Sequence, residues 1–250
     1  MSEHVLALVL RRRDTGESDR RLTLLTRELG KLEAIAKGAK KPGSRLAGVS
    51  DPLCISELQL SAGKRNRFVS QAQPMQSFRG IRDDYDRLAC ALAFCECVAA
   101  LAPFEQPDPD LFDLSVATVA ALDGHPKPHV VLAWGLARLL ADSGFHSGWS
   151  ECVVTGEPVQ EAEPYLSPVA GGYVSFDSCG RFSDRFQSKA EVLYGLAKLV
   201  ERDRPPPNLK LCDSTLATLL PFLRAAAESP LPATESVVQE LLHAPVPSSE

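Results

Sequence analysis

The first 80 residues of this 250-residue chain contain no tryptophan and no tyrosine, and their only aromatics are Phe68 and Phe78. Stacking platforms for nucleobases are therefore scarce, and an anionic ligand of this region is expected to be held mainly by charge. A run of about 18 apolar residues is also missing, so no transmembrane helix is expected. The N-terminus, Met1-Ser-Glu-His-Val-Leu-Ala-Leu-Val-Leu-Arg, has neither a basic n-region nor a small-residue cleavage site. No signal peptide is expected, and the cytosol is the expected compartment.

Catalytic signatures are missing as well. The chain has no nucleophile elbow, no His-Glu-x-x-His helix and no glycine-rich dinucleotide turn. The segment Gly38-Ala-Lys-Lys-Pro-Gly43-Ser44-Arg45 superficially resembles a phosphate-binding P-loop. Ser44 directly follows Gly43, so the phosphate-binding lysine is absent, and Pro42 removes a backbone N–H from the cradle. No active site is expected.

The seven cysteines lack any Cys-x-x-Cys pair; their odd count and irregular spacing point to reduced, buried thiols. Cys95 and Cys97 lie about 200° apart on a helix and cannot share a metal. Cys152 and Cys179 are the remaining candidates, in a region where Thr155, Ser175 and Ser178 occupy the other ligand-like positions and His146 is nearby. That is a degenerate zinc site, and no cofactor is expected to be required. His125 and His129, in Gly-His-Pro-Lys-Pro-His, read as a solvated loop.

What the chain does have is an uneven charge distribution. Residues 1–80 hold 15 Lys+Arg against 8 Asp+Glu, a balance of +7, whereas residues 81–250 hold 12 against 24, a balance of −12. The net charge of −5 hides an N-terminal module suited to meeting an anion.

That module reads as five strands. His4–Leu10 is apolar and runs into a basic edge, Arg11-Arg12-Arg13; Asp14–Asp19 is a turn; Arg20–Thr26 is the second strand. A turn at Glu28–Gly30 leads into a third strand alternating Leu32, Ala34, Ala36 with Glu33, Ile35, Lys37, followed by a loop over Gly38–Gly43. A fourth strand falls within Val49–Leu60, with Pro52 marking an edge or bulge. A tip at Ser61–Asn66 precedes the fifth strand, Arg67–Ser77. Five short strands suggest a small closed barrel, with the OB-fold as the natural candidate and an SH3-like barrel fitting the count almost as well. The basic residues fall in groups at strand ends and turns: Arg11, Arg12 and Arg13; Arg20 and Arg21; Lys37, Lys40, Lys41 and Arg45; Lys64, Arg65 and Arg67. In a small barrel such groups can converge on one groove, giving binding indifferent to sequence and sensitive to salt.

Beyond Gly80 the periodicity becomes helical. One long helix is expected over 81–102, a second from the Asp108-Pro109 start to Gly124, and a third from Pro128 to Gly144. Residues 145–186 break the pattern as an irregular insert. Ser188 and Glu191 form a capping-box pattern before the next helix. Pro205-Pro-Pro207 is a rigid connector, helices are expected near 211–228 and 234–243, and the tail Pro245–Glu250 is expected to fray. The expected organisation is α+β multidomain: a basic OB-fold barrel (1–80), an α-helical domain (81–144 and 187–245) and an insert resembling a degenerate zinc finger (145–186).

The run Gly16-Glu17-Ser18-Asp19-Arg20, then Leu22-Thr-Leu-Leu-Thr26, Gly30-Lys31 and Ala36-Lys37-Gly38-Ala39-Lys40-Lys41, resembles the start of the RecO family of bacterial recombination mediators, and the likeness continues through the helical region to Gly144-Phe145 and Gly171-Gly172. The resemblance implies an OB-fold followed by a helical domain. It further implies binding of single- and double-stranded DNA, annealing of complementary strands, and loading of RecA onto DNA coated by single-strand-binding protein. RecR and the C-terminal tail of single-strand-binding protein are the implied partners, in a cytoplasmic, nucleoid-associated setting. Arg20, Lys37, Lys40 and Lys41 match the family's DNA face. Many members carry a four-cysteine zinc site after the Gly-Phe turn, of which this chain keeps Cys152, with Cys179 displaced. The alternative expectation is a protein–protein adaptor whose basic barrel docks an acidic partner peptide.

Overall fold

A computed structural model describes residues 2–145, 148–227 and 229–243. The chain divides into two compact units, Met1–Gly124 and His125–Glu250.

The first unit is built on five strands: β1 (Ser2–Thr15), β2 (Asp19–Thr26), β3 (Gly30–Ala36), β4 (Ile55–Ala62) and β5 (Arg67–Gln76). They form a closed barrel in the order β1-β2-β3-β5-β4, with β1 returning to β4. All pairings are antiparallel except β3 with β5, which is parallel through Ala34–Arg67 and Ile35–Phe68. That Greek-key closure is OB-fold-like and decides between the two barrel expectations. Alternate residues fill the interior: Val5, Ala7 and Val9 from β1, Leu22 and Leu24 from β2, Leu32, Ala34 and Ala36 from β3, Leu58 and Leu60 from β4 and Val69 from β5. Each fully buried Val or Leu contributes about 1.5–3 kcal/mol relative to exposure.

Several boundaries differ from the sequence expectation. The three arginines do not follow β1 but lie within it, because pairing with β2 continues to Thr15. The fourth strand begins at Ile55. Before it, a helical turn α1 (Leu46–Val49) ends on the first residue of the expected range, and a bend through Leu53, at φ 70°, falls inside it. The expected helix 81–102 is two helices, α2 (Arg79–Arg82) and α3 (Tyr85–Leu101). Asp84 separates them: its backbone is extended and its side chain accepts the Arg87 N–H at 2.9 Å, so a cap outcompetes continuation. Helix α4 (Pro109–Gly124) starts as the sequence suggested, with Asp108 accepting the Leu111 N–H at 2.9 Å. The expected boundary at residue 80 lies inside the first unit, where α3 packs on β1.

The second unit holds helices α5 (Pro128–Asp142), α7 (Ala190–Val200), α8 (Cys212–Ala226) and α9 (Pro232–His243). Between α5 and α7 lie a three-stranded sheet of β6 (Tyr165–Ser167), β7 (Gly172–Val174) and β8 (Phe186–Gln187), and a short helix α6 (Phe176–Cys179). The expected capping box does not form. Lys189 is the N-cap residue of α7, and the Ser188 hydroxyl instead meets that of Thr218 at 2.8 Å, joining the start of α7 to α8. The expected frayed tail lies outside the described residues. No helix among the described residues is long and apolar enough to cross a membrane.

Gly30, at φ 71°, shows how tightly one turn is used: a Cβ there would stand 1.9 Å from the Gln106 carbonyl oxygen. Gly16 has a similar φ of 61° but open space around it. Gly30→Ala is expected to destabilise the chain by about 1–3 kcal/mol in denaturant titration, and Gly16→Ala by about 1 kcal/mol. Equal effects would mean that the clash with Gln106 is relieved at no cost.

Candidate nucleic-acid interface

The register of β1 against β2 shifts between Val9 and Arg11. Val9 faces Leu24, but Arg11 faces Thr23, so one extra residue has been absorbed. Before the bulge, odd residues of β1 point into the barrel; after it they share the outer face with the odd residues of β2. Arg13 therefore stands directly opposite Arg21, and Arg21 opposite Ile35, while Thr23 stands opposite Glu33. Without the bulge, Arg11 would face Leu22 in the core.

Two clefts open on this outer face. One, of about 450 Å³, is bounded by Arg21, Glu33, Arg67, Glu105 and the β4–β5 turn carrying Lys64 and Arg65. The other, of about 210 Å³, is lined by Arg11, Arg13, Thr23 and Lys31. Glu33 and Phe104 belong to both. Phe104 reaches the barrel because the chain returns after α3: it bridges Lys31 in parallel, and the Glu105 N–H donates to the Lys31 carbonyl at 2.8 Å.

Carboxylates hold several of these cations. Arg21 pairs with Glu33 at 2.9 Å, Arg67 pairs with Glu3 at 3.3 Å and also with Glu105, and Arg11 stands 4.0 Å from Glu96. The ion pair with Glu105 is the main reason the Arg67 guanidinium is held above its ordinary value. Arg13, Lys64 and Arg65 are exposed and form no ion pair among the described residues. Like charges directly opposite in a sheet repel, so Arg13 beside Arg21 favours an anion arriving from outside.

The remaining candidates gather at another part of the barrel. Arg20, whose side chain is 16% exposed, donates to the Ala47 carbonyl at 3.0 Å, the Ser50 hydroxyl at 2.7 Å and Asp51 at 3.2 Å. Arg12 pairs with the same Asp51. Lys40 pairs with Asp14 at 3.0 Å, and its N–H donates to the Ser18 carbonyl at 2.9 Å. Asp19 accepts the Gly38 N–H at 2.7 Å. These contacts fasten the loop after β3 to the β1–β2 turn and to α1, giving Arg12, Arg20 and Lys40 structural work. Lys37 stands over the Phe68 ring, 4.4 Å from its centroid. Lys41 and Arg45 are exposed and form no ion pair among the described residues. The twelve basic candidates thus separate into six on or beside the two clefts and six around the β3–β4 connection. Lys31 and Phe104 also line the clefts. Lys31 was legible only as half of a Gly-Lys pair, and no local signal returns Phe104 to the barrel.

In the insert, Cys152 is buried and its sulfur accepts the Ser175 N–H at 3.2 Å. Burial raises its thiol, but hydrogen bonds from the Thr155 hydroxyl and the Ser175, Val154 and Thr155 N–H groups outweigh it and bring the pKa down to about 7. The Cys179 thiol donates to the Phe176 carbonyl at 3.1 Å. Among the described residues no group of three His, Cys, Asp or Glu side chains gathers as a metal would need, and His146 lies outside them. Hydroxyls at 155, 175 and 178 do not replace thiolates for zinc, so the residues present do not fit that ion. The loop is crosslinked instead by Glu161, which accepts the Tyr173 hydroxyl at 2.6 Å and the Phe176 N–H at 3.2 Å. Burial raises the Glu161 carboxyl, but the Tyr173 hydroxyl and backbone N–H groups outweigh it and hold the group below its ordinary value.

The family model described as recombination protein O N terminal matches residues 1–78, and that described as recombination protein O C terminal matches residues 82–233. A protein named DNA repair protein RecO from Heliobacterium modesticaldum is 44% identical over 172 residues, 67% of this chain and 62% of that protein. Proteins of the same name from Dehalococcoides mccartyi strain BAV1 and from Gloeobacter violaceus are 35% and 31% identical, over 67% and 80% of this chain and 66% and 77% of their own lengths. The matches to the Heliobacterium and Dehalococcoides proteins therefore span slightly less than two thirds of those proteins.

The Gly38 N–H holds the Asp19 carboxyl below its ordinary value, which burial opposes. A lowered carboxyl stabilises the native loop above the unfolded value near 3.8, and that stabilisation is lost as pH falls through the lower native value. Protection of the Gly38 amide from hydrogen exchange is thus expected to persist down to about pH 4 and to fall below it, and Asp19→Asn is expected to reduce protection at neutral pH. Unchanged protection in Asp19→Asn would remove the carboxylate from this role. Treatment with EDTA is expected to leave the thermal midpoint of the full chain unmoved, whereas Glu161→Gln lowers it.

Proposed function

The chain belongs to the RecO family, and on that premise we propose that the outer face of its barrel binds the phosphate backbone of single- and double-stranded DNA without regard to sequence. In this reading the protein acts in DNA repair as a recombination mediator. It anneals complementary strands and helps load RecA onto DNA coated by single-strand-binding protein, with RecR and the C-terminal tail of single-strand-binding protein as partners.

The observation that carries the reading is the convergence of Arg13, Lys64 and Arg65, which form no ion pair among the described residues, on one face beside the partly neutralised Arg11, Arg21 and Arg67. Phosphates approaching that face displace counterions and meet guanidinium and ammonium groups that no carboxylate of the described residues occupies. The balance of −12 over residues 81–250 disfavours a polyanion elsewhere and leaves the barrel as the favourable landing site. Annealing follows without covalent chemistry. Two complementary strands repel through their phosphates, and a cationic face lowers that repulsion and raises local strand concentration. Contacts confined to the backbone leave base edges free to pair.

Neutralising Arg13, Lys64 and Arg65 together is expected to weaken single-strand binding about 10–100-fold at low salt. The same triple variant is expected to lower the slope of log affinity against log salt by about 2, at roughly 0.7 per phosphate contact. Neutralising Lys41 and Arg45 is expected to change both quantities less. Thermal midpoints should stay close to the parent's, since none of the five residues forms an ion pair among the described residues. An unchanged salt slope in the triple variant would remove the outer face from DNA binding.

A further inference from the structure

Three phenylalanines belong to the barrel or to the segment that returns to it, and they are in different states. Phe78 is 3% exposed and belongs to the core. Phe68 has its face covered by the Lys37 ammonium. Phe104 is 55% exposed and lines both clefts. We propose that Phe104 is a stacking platform for one unpaired base of a single strand whose phosphates are held by Arg13, Lys64 and Arg65. The inference rests on reading the outer face as the DNA-binding surface.

A single exposed apolar side chain is ordinary on a protein surface. Phe104 differs in how it is held and in what surrounds it. Its backbone is pinned from both sides: it bridges Lys31, the Glu105 N–H donates to the Lys31 carbonyl at 2.8 Å, and the Gln106 carbonyl lies against Gly30. Glu105 takes a left-handed backbone, at φ 55°, and its carboxylate pairs with Arg67. With the backbone so anchored, only side-chain rotation remains to be lost on binding. Its neighbours in the clefts are predominantly charged rather than apolar, so a purely apolar partner would have to strip water from arginines and glutamates to reach it.

The chemistry that matches a flat hydrocarbon face ringed by cations is a flat π-system tethered to anions, which describes a nucleotide within a strand. Glu33 and Glu105 flank the ring and occupy Arg21 and Arg67, so phosphate is disfavoured beside the ring and a neutral base is favoured there. Arg13, Lys64 and Arg65 then take the phosphates. Bases within a duplex are already stacked on their neighbours, so the platform selects single strands. A single ring in these clefts fixes the strand there at one base and leaves the neighbouring bases free to pair.

The test compares binding by the full chain of a mixed-sequence single strand and of an equally long abasic sugar-phosphate strand. The parent protein is expected to hold the abasic strand about ten-fold more weakly. Phe104→Ala and Phe104→Leu are expected to bind the mixed strand about ten-fold more weakly than the parent, with abasic-strand and duplex affinities unchanged. In Phe104→Trp the mixed strand is expected to quench indole emission and the abasic strand to leave it unchanged, against a constant background from Trp134 and Trp149, which are buried. Equal parent affinity for the two strands, or a Phe104→Ala loss of the same size on both, overturns the stacking inference while leaving the phosphate-binding face intact. Absence of binding to either strand at low salt overturns both readings together.

Discussion

One extra residue in β1 governs which way the basic run of that strand points. A strand alternates its side chains with a period of two, so a run such as Arg11-Arg12-Arg13 must send some of its charges toward the barrel interior unless the register changes. The bulge between Val9 and Arg11 makes that change where the apolar run ends. It lets Val5, Ala7 and Val9 fill the core while Arg11 and Arg13 join Arg21 on the outer face. Arg12 consequently points to the same side as Leu22, near the end of the barrel, where Asp51 receives it.

Carboxylates then sort the cations. Asp14, Asp19 and Asp51 occupy Lys40, the Gly38 N–H, Arg12 and Arg20, and so stitch the β1–β2 turn, the loop after β3 and α1 into one end of the barrel. On the outer face Glu3, Glu33 and Glu105 occupy Arg21 and Arg67, while Arg13, Lys64 and Arg65 form no ion pair among the described residues. Exposed pairs of this kind contribute little to stability. Their effect is to set where positive potential remains, and the pairing pattern is more informative about a ligand than the number of lysines and arginines.

The insert of the second unit solves a different problem. A loop that a metal would crosslink is here tied by the Glu161 carboxylate and by N–H groups directed at the Cys152 sulfur. Both devices stabilise a negative charge in a partly buried place. They hold the loop with side chains and backbone groups of the chain itself.

The residues alone determined the five strands, most of the helices and the location of excess positive charge, because alternation, helical periodicity, turn chemistry and net charge are local properties. Asp108-Pro109 could announce a helix start for the same reason. The break at Asp84 was hidden because its cap competes with a helix pattern that continues on both sides. Ser188 illustrates the converse: its spacing from Glu191 suggested a cap, yet its hydroxyl meets Thr218, thirty residues away. The tertiary structure decided everything that depends on register and return. It placed Arg13 opposite Arg21 through a bulge, gave Arg20 to Ala47, Ser50 and Asp51, and brought Phe104 back onto Lys31 from beyond α3. A one-residue register shift or a contact across some 70 residues leaves almost no trace in local pattern, since its free energy comes from partners that adjoin only after the chain has folded.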